Sequence, residues 1–406
     1  MGHDPNLTIN TARLMERINS LAQVGAIDGG GVNRLALSDE DRQGRDLVVS
    51  YMKCLGLKVS VDQIGNVVGL RDGREPGPAV FTGSHIDSVK TGGRYDGALG
   101  VLAGLEVVET LNDAGIRTKY PLAVAFFTNE EGARFAPDMM GSMVHQGHLP
   151  LEEMLEIIGI DGTSVRENLE RIGYAGDIPC ATTKARAYVE LHIEQGPVLE
   201  HDNITIGAVE GVQGISWTEV EITGTSNHAG TTPMPLRQDA GYTAACVVRS
   251  VRKLAEDFGG DQVATVGYME LTPNVVNVIA GQCRLIVDLR NSNAERLRMA
   301  EKRLIRVLNR LRNRENIAIA HRSLARYEPV SFSASILEGV ERHARTMGYS
   351  VRRLPSGAGH DAQAFAGNCP TGMIFIPSVR GISHNVDEHT HVDDIEAGGN
   401  VLLRLL

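Results

Sequence analysis

Apolar and polar positions along this chain fall into two patterns. Over roughly the first 200 residues, short apolar runs alternate with amphipathic stretches. AVFTGSH (79–85), LAVAFFTNEE (122–131) and AYVELHIEQG (187–196) each predict a buried strand. Between the first two, apolar residues recur at Leu99, Leu102, Leu105, Val108 and Leu111, a helical spacing that Gly115 is placed to end. Strands alternating with helices imply a sheet with many parallel pairs, covered on both faces. From about residue 211 to 327 the character changes. ISWTEVEITG and CRLIVDLR alternate as half-buried strands do, and helical stretches cover about 235–257 and 293–314. The order expected there is two strands, a helix, further strands and a helix, forming a small α+β domain with one sheet face covered. MIFIPSV (373–379) then returns to the buried type. The fold expected is α/β, a mixed sheet flanked by helices, in two pieces (1–210 and 328–406) with an α+β domain inserted at 211–327.

Composition leaves this picture in place. A chain of 406 residues, 42% hydrophobic and 22% charged, has enough apolar material for two ordinary cores. The net charge of −10 argues against a nucleic-acid partner, which calls for a basic face. Small anionic substrates remain open, because one Arg can hold a carboxylate against an acidic average. The five cysteines show no CxxC spacing, so neither a disulfide framework nor a thiolate zinc site is expected. With no secretory h-region and no apolar run of membrane-spanning length, a cytoplasmic protein without membrane attachment is expected.

Candidate chemistry sits where the buried strands end. AVFTGSH leads to His85 and Asp87, LAVAFFTN to Glu130 and Glu131, AYVEL to His192, Glu194 and Gln195, and MIFIPSVRGIS to His384. In open α/β sheets, ligands bind beyond the carboxyl ends of strands. One histidine at a strand end is ordinarily solvated, and a Glu-Glu pair is ordinarily a polar turn. Several such groups converging need a counter-charge, which a bound cation supplies. His85 and Asp87 point the same way in an extended segment, so the Asp87 carboxylate is placed to orient the His85 imidazole. A glycine-rich loop then leads to Asp96, whose alternative role is a helix N-cap. Of the adjacent glutamates, one can hold a metal while the other moves a proton. Neither a nucleophile elbow nor a P-loop is present.

The motifs GSHIDSV, GGRYDGALGVLAGLEV, TNEEGARF, ELHIEQGPVLE, NHAGTTPM, TPNVVNVI, GAGHDAQ and ISHN together resemble the M20-type hydantoinase/carbamoylase amidohydrolases. Members of that family act on N-carbamoyl-L-amino acids, N-carbamoyl-β-alanine or allantoate. The resemblance runs from about residue 60 to 395. It implies a zinc-peptidase-like catalytic domain carrying an inserted lid and dimerisation domain, in a homodimer. It also implies two divalent metal ions per subunit, zinc first, with manganese, cobalt or nickel fitting the same nitrogen and oxygen donors. Asp96 would bridge, His85 and His192 would complete one site, and Glu131 and His384 the other. Glu130 would be the general base. Gln195, His228, Asn277, Arg290, Gly359 and His360 would contact substrate. His228 would reach the neighbouring subunit's site and help hold the oxyanion, and Arg290 would clamp the substrate carboxylate. The activity implied is hydrolysis of an N-carbamoyl amino acid to the amino acid, carbon dioxide and ammonia. Allantoate, ureidoglycolate or dipeptide hydrolysis on the same scaffold, and a metal-binding dimer without turnover, are the alternatives.

Overall fold

The continuous apolar runs become the middle of one large sheet. In this computed structural model, which describes residues 7–180 and 184–406, the strands Leu122–Phe127, Ala79–His85, Ala185–Ile193 and Thr371–Ile376 lie side by side in that order, all parallel. The first six residues, which open the segment where no secretory h-region is expected, lie outside the described residues. Every residue of Leu122–Phe127 and of Thr371–Ile376 is buried, as expected for parallel strands covered on both faces. Antiparallel strands flank these four, Val67–Arg71 and Lys58–Val61 on one side and Ile206–Val212 on the other, and the short strands Val330–Ser331 and Val351–Ser356, both paired with Ile206–Val212, bring the sheet to nine. The mixed sheet with helices on its faces is the fold class expected from the chain.

The helix Ala98–Asp113 is apolar nearly all round and is buried accordingly. Its one buried charge, Glu106, is met by Arg13 at 2.7 Å and Arg17 at 3.2 Å from the helix Thr11–Ala22. Thr11–Ala22 and Val392–Leu405 both pack on it.

The chain divides into two compact units, Met1–Glu210 with Ser331–Leu406, and Gly211–Val330. The second unit runs strand Gly214–Thr223, helix Ala240–Phe258, strands Val263–Thr272 and Gln282–Asn291, helix Ala294–Arg314, strand Ala318–Tyr327. The two-strands-first order expected from the sequence is therefore corrected to β-α-β-β-α-β. Val263–Thr272 and Ala318–Tyr327 are the edges of this antiparallel sheet, and most of their residues are exposed. Without a clear buried face they carry little apolar alternation. The first helix also starts later than its pattern, because Asp239 caps it by accepting from the Tyr242 amide. Leu285, Val287 and Leu289 pack with Val247, Val251, Leu297 and Leu304 to form a separate core. Among the described residues, no helix is long and apolar enough to cross a membrane.

Candidate metal centre

Because the four central strands run the same way, their carboxyl ends share one edge of the sheet. His85 is the last residue of its strand, His192 the next to last of its own, and Glu130–Glu131 follow Leu122–Phe127. His384 arrives after Thr371–Ile376 and a short 3-10 turn, Val379–Gly381. Asp96 joins them from the loop before the helix Ala98–Asp113. It is not the helix cap: Gly97 holds that position at φ 63°. A Cβ on Gly97 would collide with the His85 ring, so glycine is what lets the helix begin against the imidazole.

The two oxygens of Asp96 face different partners. Its Oδ1 lies 3.1 Å from His192 Nε2 and 3.7 Å from His85 Nε2. Its Oδ2 lies 3.3 Å from His384 Nε2, which is also 3.2 Å from Glu131 Oε2. Two donor sets therefore share one carboxylate, His85–Asp96–His192 and Asp96–Glu131–His384.

The tautomers show what these sets are suited to hold. His85 Nδ1 lies 2.9 Å from the Asp87 carbonyl oxygen, and His192 Nδ1 lies 2.9 Å from that of Ile193. A carbonyl only accepts, so each Nδ1 carries the proton and each neutral ring turns a lone pair at Nε2 toward Asp96. The Gly97 amide, donating to His192 Nε2 at 3.2 Å, fits this assignment. Lone pairs facing a carboxylate repel unless a cation, or a proton, lies between them. With protons alone, burial opposes the charge on His192 but Asp96 and Glu190 outweigh it, raising its pKa to about 9. Hydrogen bonds to Asp96 and Glu131 take His384 to about 10. The same pairing holds Asp96 well below its ordinary value despite burial. Glu131 Oε1 is buried without a hydrogen-bond partner. The donor set fits divalent metal.

Glu130 stands apart from that ligand role. Its Oε2 lies 3.3 Å from His85 Nε2, and burial together with Asp361, Glu131 and Asp87 pushes its pKa well above the usual carboxylate range. Asp87 corrects one expectation. The imidazole of His85 is held by the Asp87 main-chain carbonyl, while the carboxylate stays 3.9 Å away. The carboxylate instead accepts the amides of Glu130 at 3.3 Å and Glu131 at 3.4 Å. Its job is to grip the loop that carries both glutamates.

Gln195 sits at φ 56° and donates to Asp96 Oδ2 at 2.9 Å. His384 is also left-handed, at φ 55°. Non-glycine residues held there store strain on the order of 1–3 kcal/mol each and cluster at functional sites. Gly359 and His360 line the same cavity, of about 110 Å³. His360 packs edge-on to His192 at 4.6 Å, and burial keeps its ring neutral. His228, Asn277 and Arg290 belong to the second unit. His228 Nδ1 accepts the amides of Gly230 and Thr231 at 3.0 and 3.2 Å, so its proton is on Nε2. Asn277 is exposed and its carbonyl accepts the Ala229 amide at 2.9 Å, fastening the two loops. The Arg290 guanidinium is engaged by Asp288 at 2.8 Å. Holding a substrate carboxylate would mean sharing or exchanging Asp288.

The sequence profile of Peptidase family M20/M25/M40 matches residues 81–406. The N-carbamoyl-L-amino acid amidohydrolase of Geobacillus stearothermophilus is 40% identical over 97% of this chain and 97% of its own length. This chain belongs to that family. A hydantoinase/carbamoylase family amidase from Burkholderia multivorans superposes with a TM-score of 0.96 at 44% identity, covering 99% of this chain and 98% of its own. A ureidoglycolate hydrolase from Arabidopsis thaliana is 33% identical over 98% of this chain and 86% of its own length. The protein is a hydrolase acting on amides.

Several residues around this M20-family site escaped the sequence reading. Glu388 is buried and accepts the amides of Tyr95 and Asp96 at 3.0 and 3.2 Å and the Ser383 hydroxyl at 3.0 Å. It ties the Asp96 loop to the His384 loop, and a side chain on Gly93 would occupy its place. In HNVDEH it reads as part of a solvated acidic turn. Glu190 accepts from Ser84 at 2.6 Å and from the Ala362 amide at 2.9 Å. A charged residue in the buried half of its strand, two before His192, was the available signal. Asp361, beside His360, is buried, and burial with Glu190 nearby raises its pKa to about 8. Asp138 lines the cavity from the segment after Glu131.

Proposed function

We propose that this chain hydrolyses the ureido C–N bond of N-carbamoyl-L-amino acids, or of N-carbamoyl-β-alanine, to the amino acid, carbon dioxide and ammonia. The observation that carries the reading is Asp96, whose two oxygens divide between two histidine-containing donor sets with Glu130 alongside. His85, Asp96 and His192 would hold one divalent ion, and Asp96, Glu131 and His384 a second. Nitrogen and oxygen donors suit zinc, and also manganese, cobalt or nickel. When bound, such ions polarise a carbonyl and make water more acidic.

Glu130 takes the proton from the attacking water and returns it to the leaving nitrogen. Burial and neighbouring carboxylates strengthen it as a base, which general-base work at neutral pH needs. Asp87 keeps it aimed by holding the amides of residues 130 and 131. In the homodimer of this reading His228 would offer its Nε2–H to the oxyanion in the neighbouring subunit's site, Asn277 and Arg290 would receive the rest of the substrate, and Gln195, Gly359 and His360 would contact it from the cavity. In this reading the inserted domain is a lid and the interface of a homodimer. The five cysteines, none in a disulfide, suit a reducing cytoplasm. Ureidoglycolate hydrolysis is the second reading, supported by the Arabidopsis relative.

Ammonia release from metal-loaded protein, across N-carbamoyl-L- and D-amino acids, N-carbamoyl-β-alanine, allantoate and ureidoglycolate, separates the two. Turnover of allantoate or ureidoglycolate alone would refute the first. Glu130→Gln should keep its metals and lose about 10²–10⁴-fold in kcat. Near-normal turnover in a metal-replete variant would sink the base assignment.

A further inference from the structure

Resting on the ureido-hydrolase reading and deepening it, we propose that Asp138 is a specificity residue: it accepts a hydrogen bond from an N–H donor on the part of the substrate seated in the metal cavity, and so selects ureido substrates over acyl analogues that lack the donor.

Asp138 lines the cavity together with Glu130, Glu131 and His384. Each of the other cavity carboxylates faces an imidazole: Asp96 faces His192 and His384, Glu130 faces His85, and Glu131 faces His384. Asp138 makes no ion pair with any described residue, and among the described residues only its own amide is hydrogen-bonded to its carboxylate. It is therefore a cavity acceptor that the metal set does not use.

The backbone holds it in place. Asn129 donates from its side-chain amide to the carbonyls of Phe135 at 2.8 Å and Pro137 at 3.1 Å. The Met139 amide donates to the Glu130 carbonyl at 2.7 Å, closing the loop on the base itself. Gly132, at φ 64°, packs so closely on Asp138 that a Cβ there would lie 2.9 Å from the Asp138 Cα. The next side chain, Met139, abuts Gly359. Asp138 is thus fastened to Glu130 on one side and to the Gly359 loop on the other. Asp138 is exposed, and the desolvation its surroundings still impose on the carboxyl raises its pKa, with no cationic neighbour to oppose it.

Charge settles which groups it can receive. Asp96 and Glu131 belong to the donor sets and Glu130 faces His85, so Asp138 adds a negative charge beyond theirs. A substrate carboxylate placed beside it would be repelled, whereas an N–H donor would be held by a charge-assisted hydrogen bond. A carbamoyl group ends in NH₂ and an acetyl group of nearly the same shape ends in CH₃, so the pair isolates this contact.

The test is kcat/KM for an N-carbamoyl-L-amino acid and the N-acetyl derivative of the same amino acid, with metal-loaded wild type, Asp138→Asn and Asp138→Ala. Wild type should prefer the carbamoyl substrate. In Asp138→Ala that preference should shrink on the order of ten- to a hundredfold, and Asp138→Asn, which keeps a neutral acceptor oxygen, should fall between. Metal content and thermal melting identify folded variants, and if Asp138→Ala does not fold, the near-isosteric Asn variant carries the test. A merely structural role would lower both substrates together; an unchanged ratio in active variants overturns the assignment while leaving ureido hydrolysis standing. Equal use of both substrates by wild type overturns it too. If wild type turns over neither, the ureido-hydrolase reading fails and this one with it.

Discussion

Replacing Glu388 with alanine probes how the metal set is held together. The carboxylate is 5% exposed and accepts the amides of Tyr95 and Asp96 through one oxygen and the Ser383 hydroxyl through the other. Its removal orphans two buried main-chain donors, at about 1–3 kcal/mol each, or about 2–6 kcal/mol if the loop stays in place. Water entering the vacated space recovers part of this. The remainder is relieved by movement of the 93–97 loop, which displaces Asp96. Loss of an orienting partner behind metal ligands lowers metal affinity by about 10–100-fold, and because Asp96 is common to both donor sets, both should weaken. Competition against a chromophoric chelator, with thermal melting of the loaded protein, reads both effects. Glu388→Gln keeps an oxygen for the amides and should recover most of the affinity. Unchanged metal affinity and melting temperature in Glu388→Ala would refute the reasoning.

Other outcomes follow from the same geometry. His192→Ala and His384→Ala should each reduce bound metal from two ions toward one by elemental analysis, because their donor sets share only Asp96; full loading of both variants would contradict the assignment. Metal-free protein should lose stability as pH rises. The pKa of His192 is raised from 6.5 to about 9 and that of His384 from 6.5 to about 10. A raised folded-state pKa contributes stability that is complete below the unfolded value of 6.5 and is lost as pH climbs through 9 and 10. Asp361, raised from 3.8 to about 8, acts in the same direction at lower pH. Bound metal replaces the histidine protons, so melting curves against pH should fall with chelator and be flatter with metal. A metal-free protein that gains stability between pH 6.5 and 10 would contradict this.

Much of this molecule is legible in the chain because periodicity is a local property. Residues 79–85 form the strand expected of them, and the other central runs end within a few residues of the predicted limits, because strands buried on both faces must be apolar throughout. His85, Asp96, Glu131, His192 and His384 are recognisable as polar residues that a core has no use for, and they do lie together. What the chain alone does not carry is set by groups distant in sequence. Edge strands of the second unit lack a buried face to mark them. Asp87 shows how proximity in sequence misleads: its carbonyl serves His85, while its carboxylate serves amides more than forty residues away. Glu388 is separated from Asp96 by 292 residues, yet it fixes the loop that carries the carboxylate common to both donor sets. Sequence by itself determined which residue types stand at the strand ends. Only the tertiary structure decided which oxygen of Asp96 faces which histidine, because that depends on loops closing across the sheet and on the hydrogen bonds that hold them there.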